Sequence, residues 1–184
     1  SGSNEDHASF SPDGRLIYFS SDRRGGEGGL DLWYSERQRD GEWGSPVNLG
    51  DEINTDKDET SVFIAPDGER LLFASKGHFN MGGYDIFRCE LEENGSWSQP
   101  TNIGYPLNTT SDNTFYVPIN NGLQALYTRF TNDAIGKRDL WYVEILDAED
   151  FVGEGLTLSI DPAEISQKDF AIILVNEATG EEIE

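Results

Sequence analysis

The sequence predicts an all-β fold made of β-propeller blades, three four-stranded antiparallel units that repeat every 54 residues. The first observation is a turn that recurs at this spacing, as Pro12-Asp13-Gly14, Pro66-Asp67-Gly68 and, in altered form, Asn120-Asn121-Gly122. The second is an aspartate at the start of an apolar strand, found at Asp31, Asp85 and Asp139. A β-sandwich is the alternative fold, but it requires no such period.

Each unit reads as four short strands, because apolar, aromatic and β-branched runs are separated by Gly, Pro, Asp and Asn. In the first unit we expect strand A at residues 7–11, B at 15–20, C at 30–35 and D at 43–49. The Pro-Asp-Gly turn joins A to B, since proline presets φ and glycine accepts positive φ. The predicted structural residues are turn glycines, strand aspartates that accept backbone N–H bonds, and blade-packing tryptophans: Gly14, Gly68, Gly122, Asp31, Asp85, Asp139, Trp43 and Trp97.

The repeat register divides the chain into blades at about residues 4–57, 58–111 and 112–157. Phe151 stands where Trp43 and Trp97 stand in the other units, so we expect the third blade to include its outer strand. Residues 158–184 are predicted to be a linker with the start of a second β-domain, or a closing strand of the propeller. A run near residues 170–176 reads as a buried strand.

Three blades cannot close a ring, because natural propellers have roughly four to eight. We therefore expect the chain to be part of a larger or assembled propeller. Further blades in a longer parent protein are the favoured explanation. The alternative is a homodimer, in which two copies associate into a ring of about six blades.

The charge of the chain limits its partners. Thirty-five acidic residues against 13 basic residues give a formal net charge of -22, which would repel phosphate backbones and anionic lipids. Nucleic acid is therefore not an expected partner. No apolar run is long enough to span a bilayer. Cys89 is the only cysteine, which excludes an intrachain disulfide and a thiolate metal cluster.

The candidate binding surface is the face where the B-to-C and D-to-A connections emerge together, because functional residues concentrate in loops held by a rigid scaffold. Its candidate partner-binding residues are Asn54, Asp56, Asp58, His78, Phe79, Asn80, Met81, Asn108 and Asp112. Residues 51–59 hold five carboxylates, so calcium is a possible ligand, although a solvated acidic loop is the favoured interpretation. We predict no cofactor and no resident metal. No catalytic residue is assigned, because no acid, base or nucleophile recurs as a constellation.

Two sets of residues carry a resemblance to known proteins. Ser11-Pro12-Asp13-Gly14, followed by a strand ending Tyr-Phe-Ser-Ser and a Gly-Gly-x-Asp strand, resembles TolB-type, WD-like propeller repeats. More narrowly, residues 81–87 with Trp97-Ser98, Asn102-Ile103-Gly104 and Leu107-Asn108-Thr109 resemble the version in multidomain OmpA-family envelope proteins of Bacteroidetes-type bacteria. The third unit departs from this pattern, since Lys137-Arg138 replaces the Gly-Gly pair.

The resemblance implies a non-enzymatic protein-interaction scaffold or binding module of the bacterial cell envelope, periplasmic or associated with the outer membrane. Its partners would be envelope proteins, with peptidoglycan reached through domains that this chain does not contain. It also implies that the segment after the blades begins a carboxypeptidase-regulatory-like domain. The alternative function is the propeller domain of a carbohydrate-active enzyme or peptidase.

Overall fold

A computed structural model describes residues 2–119, 124–129, 139–146, 172–176 and 182–183. The first sheet has the order β1-β2-β3-β4 and is antiparallel throughout; its strands are β1 (Glu5–Phe10), β2 (Leu16–Ser21), β3 (Asp31–Glu36) and β4 (Val47–Asn48). The second sheet repeats this order with β5 (Glu59–Ile64), β6 (Arg70–Ser75), β7 (Asp85–Glu90) and β8 (Thr101–Asn102). The all-β, four-stranded prediction is confirmed.

The third sheet contains β9 (Asn113–Ile119), β10 (Gln124–Arg129) and β11 (Asp139–Leu146), which pair antiparallel. β12 (Ile172–Asn176) then pairs parallel to β11, with Tyr142 opposite Ile172, and β13 (Glu182–Ile183) follows at the edge. In the first two sheets, β4 and β8 run antiparallel to the C strands β3 and β7. In the third sheet, β12 runs parallel to the C strand β11. Gly122, Phe151 and the linker lie outside the described residues, and the domain boundaries stay predictions.

The A-to-B turns adopt the conformation that their residues favour. Gly14 has φ +67° and its N–H donates to the Ser11 carbonyl oxygen at 2.8 Å, and Gly68 has φ +76° in the equivalent turn. The Ser11 hydroxyl and the Arg15 N–H donate to the Asp13 carboxylate, which lowers the pKa of that group. The outer strands are shorter than predicted: β4 has two residues, and an isolated bridge joins Arg37 to Trp43.

The hydrophobic core lies between blades, because each sheet has a neighbour on its face. Strand β6 is buried on both sides. Leu71 and Phe73 join the cluster shared with the first blade, whereas Leu72 and Ala74 join the cluster shared with the third. Burial of each large side chain contributes roughly 1.5–3 kcal/mol.

The A strands form the inner edge of the array, since β1 lies against β5 and β5 against β9. The B-to-C and D-to-A loops meet at one end of these strands, as predicted. Within the described residues, no helix is long and apolar enough to cross a bilayer.

Candidate functional site

The loop face is the end of the blades where the B-to-C and D-to-A connections emerge. Hydrogen bonds between these two sets of loops hold it together. The Gly29 N–H donates to the Lys57 carbonyl oxygen at 2.9 Å, and the Leu30 N–H donates to the Asp58 carboxylate at 3.2 Å. A Cβ at Gly28 would overlap the carbonyl oxygens of Lys57 and Thr55. The paired glycines therefore let the B-to-C loop approach the D-to-A backbone closely.

The repeated aspartates organise the B-to-C loops. Buried Asp31 accepts backbone N–H bonds from Glu27 at 3.0 Å and Gly28 at 3.2 Å. Buried Asp85 accepts from the Met81 N–H at 2.7 Å and from the Asn102 amide at 2.9 Å. This geometry fits the structural role that the sequence suggested for them. Asp139 begins β11, and its side chain lies outside the described part.

Asn54 and Asn108 occupy different surroundings from those predicted. Both are buried, so they are not exposed contacts for a partner. The Asn54 amide oxygen accepts from the Leu32 N–H at 2.7 Å, and its amide nitrogen donates to the Leu32 carbonyl at 3.0 Å. Asn108 makes the same two bonds to Ile86, both at 2.8 Å. Each amide thus ties the D-to-A loop to the start of strand C.

The carboxylates of residues 51–59 point in different directions. Asp56 is exposed and pairs with Lys57, whereas Glu59 is buried and accepts bonds from Thr55 and Ser75. A hydrogen bond from Lys76 at 2.8 Å is the main reason that the pKa of Asp58 is lowered. Burial raises the pKa of Glu59. Among the described residues, no group of three His, Cys, Asp or Glu side chains is arranged to hold a metal ion.

The projecting loop at residues 78–81 combines two braced residues with two exposed ones. His78 Nε2 lies 2.8 Å from the Ile53 carbonyl oxygen, and the Asn80 amide donates to the carbonyls of Lys76 and Gly83. Phe79 is 97% exposed and Met81 is 45% exposed. The loop therefore holds a ring and a thioether in solvent. Asp112 supports its base, accepting from the Tyr84 N–H at 3.1 Å.

The tryptophans differ between the first two blades. Trp97 packs at the blade interface, with its ring 6.2 Å from that of Tyr18. Trp43 packs against Phe10 at 5.9 Å but stays 42% exposed. Blade packing thus describes Trp97 better than Trp43.

An axial cluster of His7, Ser61 and Phe115 was not predicted from the sequence. These residues have φ values of +41°, +54° and +58°, in a region that residues other than glycine rarely adopt. Each lies in an A strand where the pairing register shifts by one residue, so each marks a β-bulge. The inner edge of each of the three blades therefore carries a residue with strained backbone near the loop face.

Two members of the axial cluster, His7 and Phe115, contact each other across blades. The His7 and Phe115 rings meet edge to face with centroids 4.2 Å apart. His7 Nδ1 lies 2.9 Å from an Asp6 carboxylate oxygen and 3.0 Å from the Thr60 hydroxyl. The Ser61 hydroxyl is buried and has no hydrogen-bond partner among the described residues.

The signal for this cluster is present in the sequence, since residues 7, 61 and 115 are separated by the repeat length. Repeated residue identities do not reveal the cluster, because its three side chains are an imidazole, a hydroxyl and a phenyl ring.

Sheet order and inter-blade cores define the chain as an array of β-propeller blades. Its structure is similar to that of TolB from Acinetobacter baumannii, with 15% sequence identity and a TM-score of 0.51 over 74% of this chain and 29% of that one. It is also similar to a putative TolB from Agrobacterium tumefaciens, with 15% identity and a TM-score of 0.53 over 78% and 46% of the two chains. The chain thus spans less than half of either protein.

A lower TM-score of 0.45 relates the chain to the periplasmic gluconolactonase of Pseudomonas aeruginosa, at 15% identity over 73% of this chain and 38% of that one. No protein-family model and no curated protein matches the sequence. At such identities the likeness establishes the fold, which is that of TolB-type propellers.

Proposed function

We propose that this chain is part of a non-enzymatic binding scaffold of the bacterial cell envelope, which contacts a partner protein through His7, Phe115 and the loop face. The main observation behind this proposal is the left-handed backbone conformation that His7, Ser61 and Phe115 share. Such strain costs of order 1–2 kcal/mol per residue and persists where the surrounding structure enforces it. His7 and Phe115 are partly exposed and can reach a partner, whereas the buried Ser61 helps to set the shape of the inner edge.

The loop face extends this proposed surface outward. Phe79 and Met81 project from the same loop face, and exposed aromatic and thioether groups are enriched at protein interfaces. Asp56 adds an exposed carboxylate on the same face. The surface combines apolar anchors with acidic surroundings, which suits a protein with a complementary basic rim.

A hydrolytic propeller is the competing function, because His7 and Asp6 lie together at the axis. The hydroxyls of Thr60 and Ser20 are close by. The geometry argues against a triad. A triad histidine uses one ring nitrogen for the carboxylate and the other for the nucleophile. In this chain both the Asp6 carboxylate and the Thr60 hydroxyl lie near Nδ1. We therefore assign the cluster to binding.

The envelope location and the OmpA-family context rest on the sequence resemblance of the repeats. The likeness of the fold to TolB supports the scaffold part of the proposal without identifying the partner. Possible contact with peptidoglycan through other domains belongs to the same proposal.

Site-specific photo-cross-linking tests the proposal in the intact protein within its native cells. A photoreactive benzoylphenylalanine replaces Phe115 or Phe79 on the proposed surface, and Glu93 on the opposite, hairpin side serves as the control. We expect adducts of one common mass from positions 115 and 79, absent from position 93 and reduced by His7→Ala. Equal adducts from all three positions, or none from 115 and 79, would refute the proposed surface.

A further inference from the structure

A groove separates the first and second blades and runs from their turns and hairpins to the start of the D-to-A loop at residues 52–53. Its volume is about 660 Å³. Tyr18, Tyr34 and Trp97 provide an aromatic lining, with the ring of Tyr18 lying 6.2 Å from each of the other two. Burial raises the pKa of Tyr18 to about 12, so its phenol stays neutral. Tyr18 therefore adds no charge to this aromatic wall at physiological pH.

The rim of the groove is acidic. Asp13, Glu52 and Asp67 line it together with the aromatic residues. Arg70 pairs with Asp67 at 2.7 Å and offsets that charge. The Ser11 hydroxyl lowers the pKa of Asp13, which keeps its carboxylate ionised, and Glu52 is exposed. Two carboxylates thus remain to attract a cation above an aromatic surface.

Blade packing does not require these aromatic and acidic residues, because the interface between the second and third blades has different residues at the equivalent positions. Fifty-four residues on from Leu16, Tyr18 and Tyr34 stand Arg70, Leu72 and Arg88. Pro106 stands where Glu52 stands in the first D-to-A loop. The equivalent interface therefore has arginines in place of an aromatic and a leucine, and no carboxylate at the rim position of Glu52.

We propose that this inter-blade groove binds a basic peptide segment, with an arginine side chain lying on Tyr34 and Trp97 and its guanidinium facing Glu52. Aromatic faces attract guanidinium groups, and a carboxylate at the mouth accepts its N–H bonds. The net charge of -22 favours the approach of such a segment. The site is separate from the axial cluster, so either can fail without the other.

A titration followed by NMR on the ¹⁵N-labelled chain tests this site. The probe is the peptide acetyl-Gly-Arg-Gly-Arg-Gly-amide, and a copy with citrulline at both arginine positions is the neutral control. We expect shifts at the Trp97 indole and the Tyr34 amide with the arginine peptide alone. Glu52→Gln should weaken binding about three- to fivefold.

Two further variants make the test specific. Asp51→Asn removes the same charge from the neighbouring residue, which does not line the groove, and should leave affinity within about twofold. Tyr34→Arg imports the residue of the next blade and should weaken binding about tenfold or more. If it does not fold, the Glu52 and Asp51 pair still decides. Equal weakening by E52Q and D51N, or stronger Trp97 shifts with maltohexaose or with the citrulline peptide, would overturn the proposal.

Discussion

The rings of His7 and Phe115 meet edge to face at 4.2 Å, although one belongs to the first blade and the other to the third. Both residues have a left-handed backbone, as does Ser61 in the blade between them. The contact shows how closely the A strands converge at the axis. It also joins two strained positions into one surface, which local sequence patterns do not reveal.

Ser61 allows the backbone strain to be measured directly. Ser61→Ala removes the buried hydroxyl but keeps a Cβ at φ +54°, whereas Ser61→Gly also removes the Cβ. We expect the glycine variant to be more stable than the alanine variant by about 0.5–1 kcal/mol, since glycine tolerates positive φ at an entropic cost. Urea denaturation measures the difference. An alanine variant as stable as the glycine variant would show that the position is unstrained.

Asn54 should stabilise the first blade from within. Asn54→Ala leaves the buried Leu32 N–H without its partner, while the Leu32 carbonyl keeps its bond from Leu49. The expected loss in free energy of unfolding is about 2 kcal/mol. Asp56→Ala, in the same loop but exposed, should change it by less than about 0.5 kcal/mol. Similar losses from both variants would mean that the buried amide has no special role.

Gly28 should tolerate no side chain. Gly28→Ala drives a methyl group into the carbonyls of Lys57 and Thr55, and we expect destabilisation of about 2 kcal/mol as the loops separate. Glu27→Ala is the matched change, because the Glu27 side chain is exposed in the same loop. Its effect should stay within about 0.5 kcal/mol. A neutral G28A variant would contradict the close approach of the loops.

Glu59 predicts a distinctive pH dependence. Burial raises its pKa, so the folded chain holds this proton more tightly than the unfolded chain. Its contribution is fully present below the unfolded pKa and is lost as pH rises through the folded pKa. The stability of the native chain relative to Glu59→Gln should therefore fall as pH rises above the unfolded glutamate pKa of about 4.3, as measured by urea denaturation.

Asp58 supplies the opposite control. Its pKa is lowered, chiefly by Lys76, so its contribution is present above the unfolded pKa and lost as pH falls through the folded pKa. Relative to Asp58→Asn, the native chain should gain stability as pH rises toward the unfolded aspartate pKa, that is, below about pH 4. Slopes of the same sign for the two variants would contradict these assignments.

The strands and turns could be predicted because their chemistry is local and repeated. Gly14 and Gly68 have the positive φ that their turns require, and Asp31 and Asp85 accept the loop N–H bonds expected of them. Asn54 and Asn108 could not be placed in this way. They stand among loop residues in the sequence, and only the folded chain brings each amide onto a strand residue 22 positions away.

The axial cluster and the groove were missed for a related reason. A β-bulge depends on the paired backbone, and His7, Ser61 and Phe115 share no side-chain chemistry that a pattern could detect. The groove joins Tyr18 and Tyr34 of one blade to Trp97 of the next. Its character comes from positions where the repeats differ, whereas the fold comes from positions where they agree.

The central claim is that the strain at the axis serves binding, and Phe115→Gly tests it most directly. Loss of strain offsets the lost ring contact, so the free energy of unfolding should stay within about 1 kcal/mol of the native value. With the photo-cross-linker at position 79, the yield of partner adduct in cells should fall by about fivefold or more. An unchanged yield together with a clear loss of stability would contradict the claim and make Phe115 a packing residue.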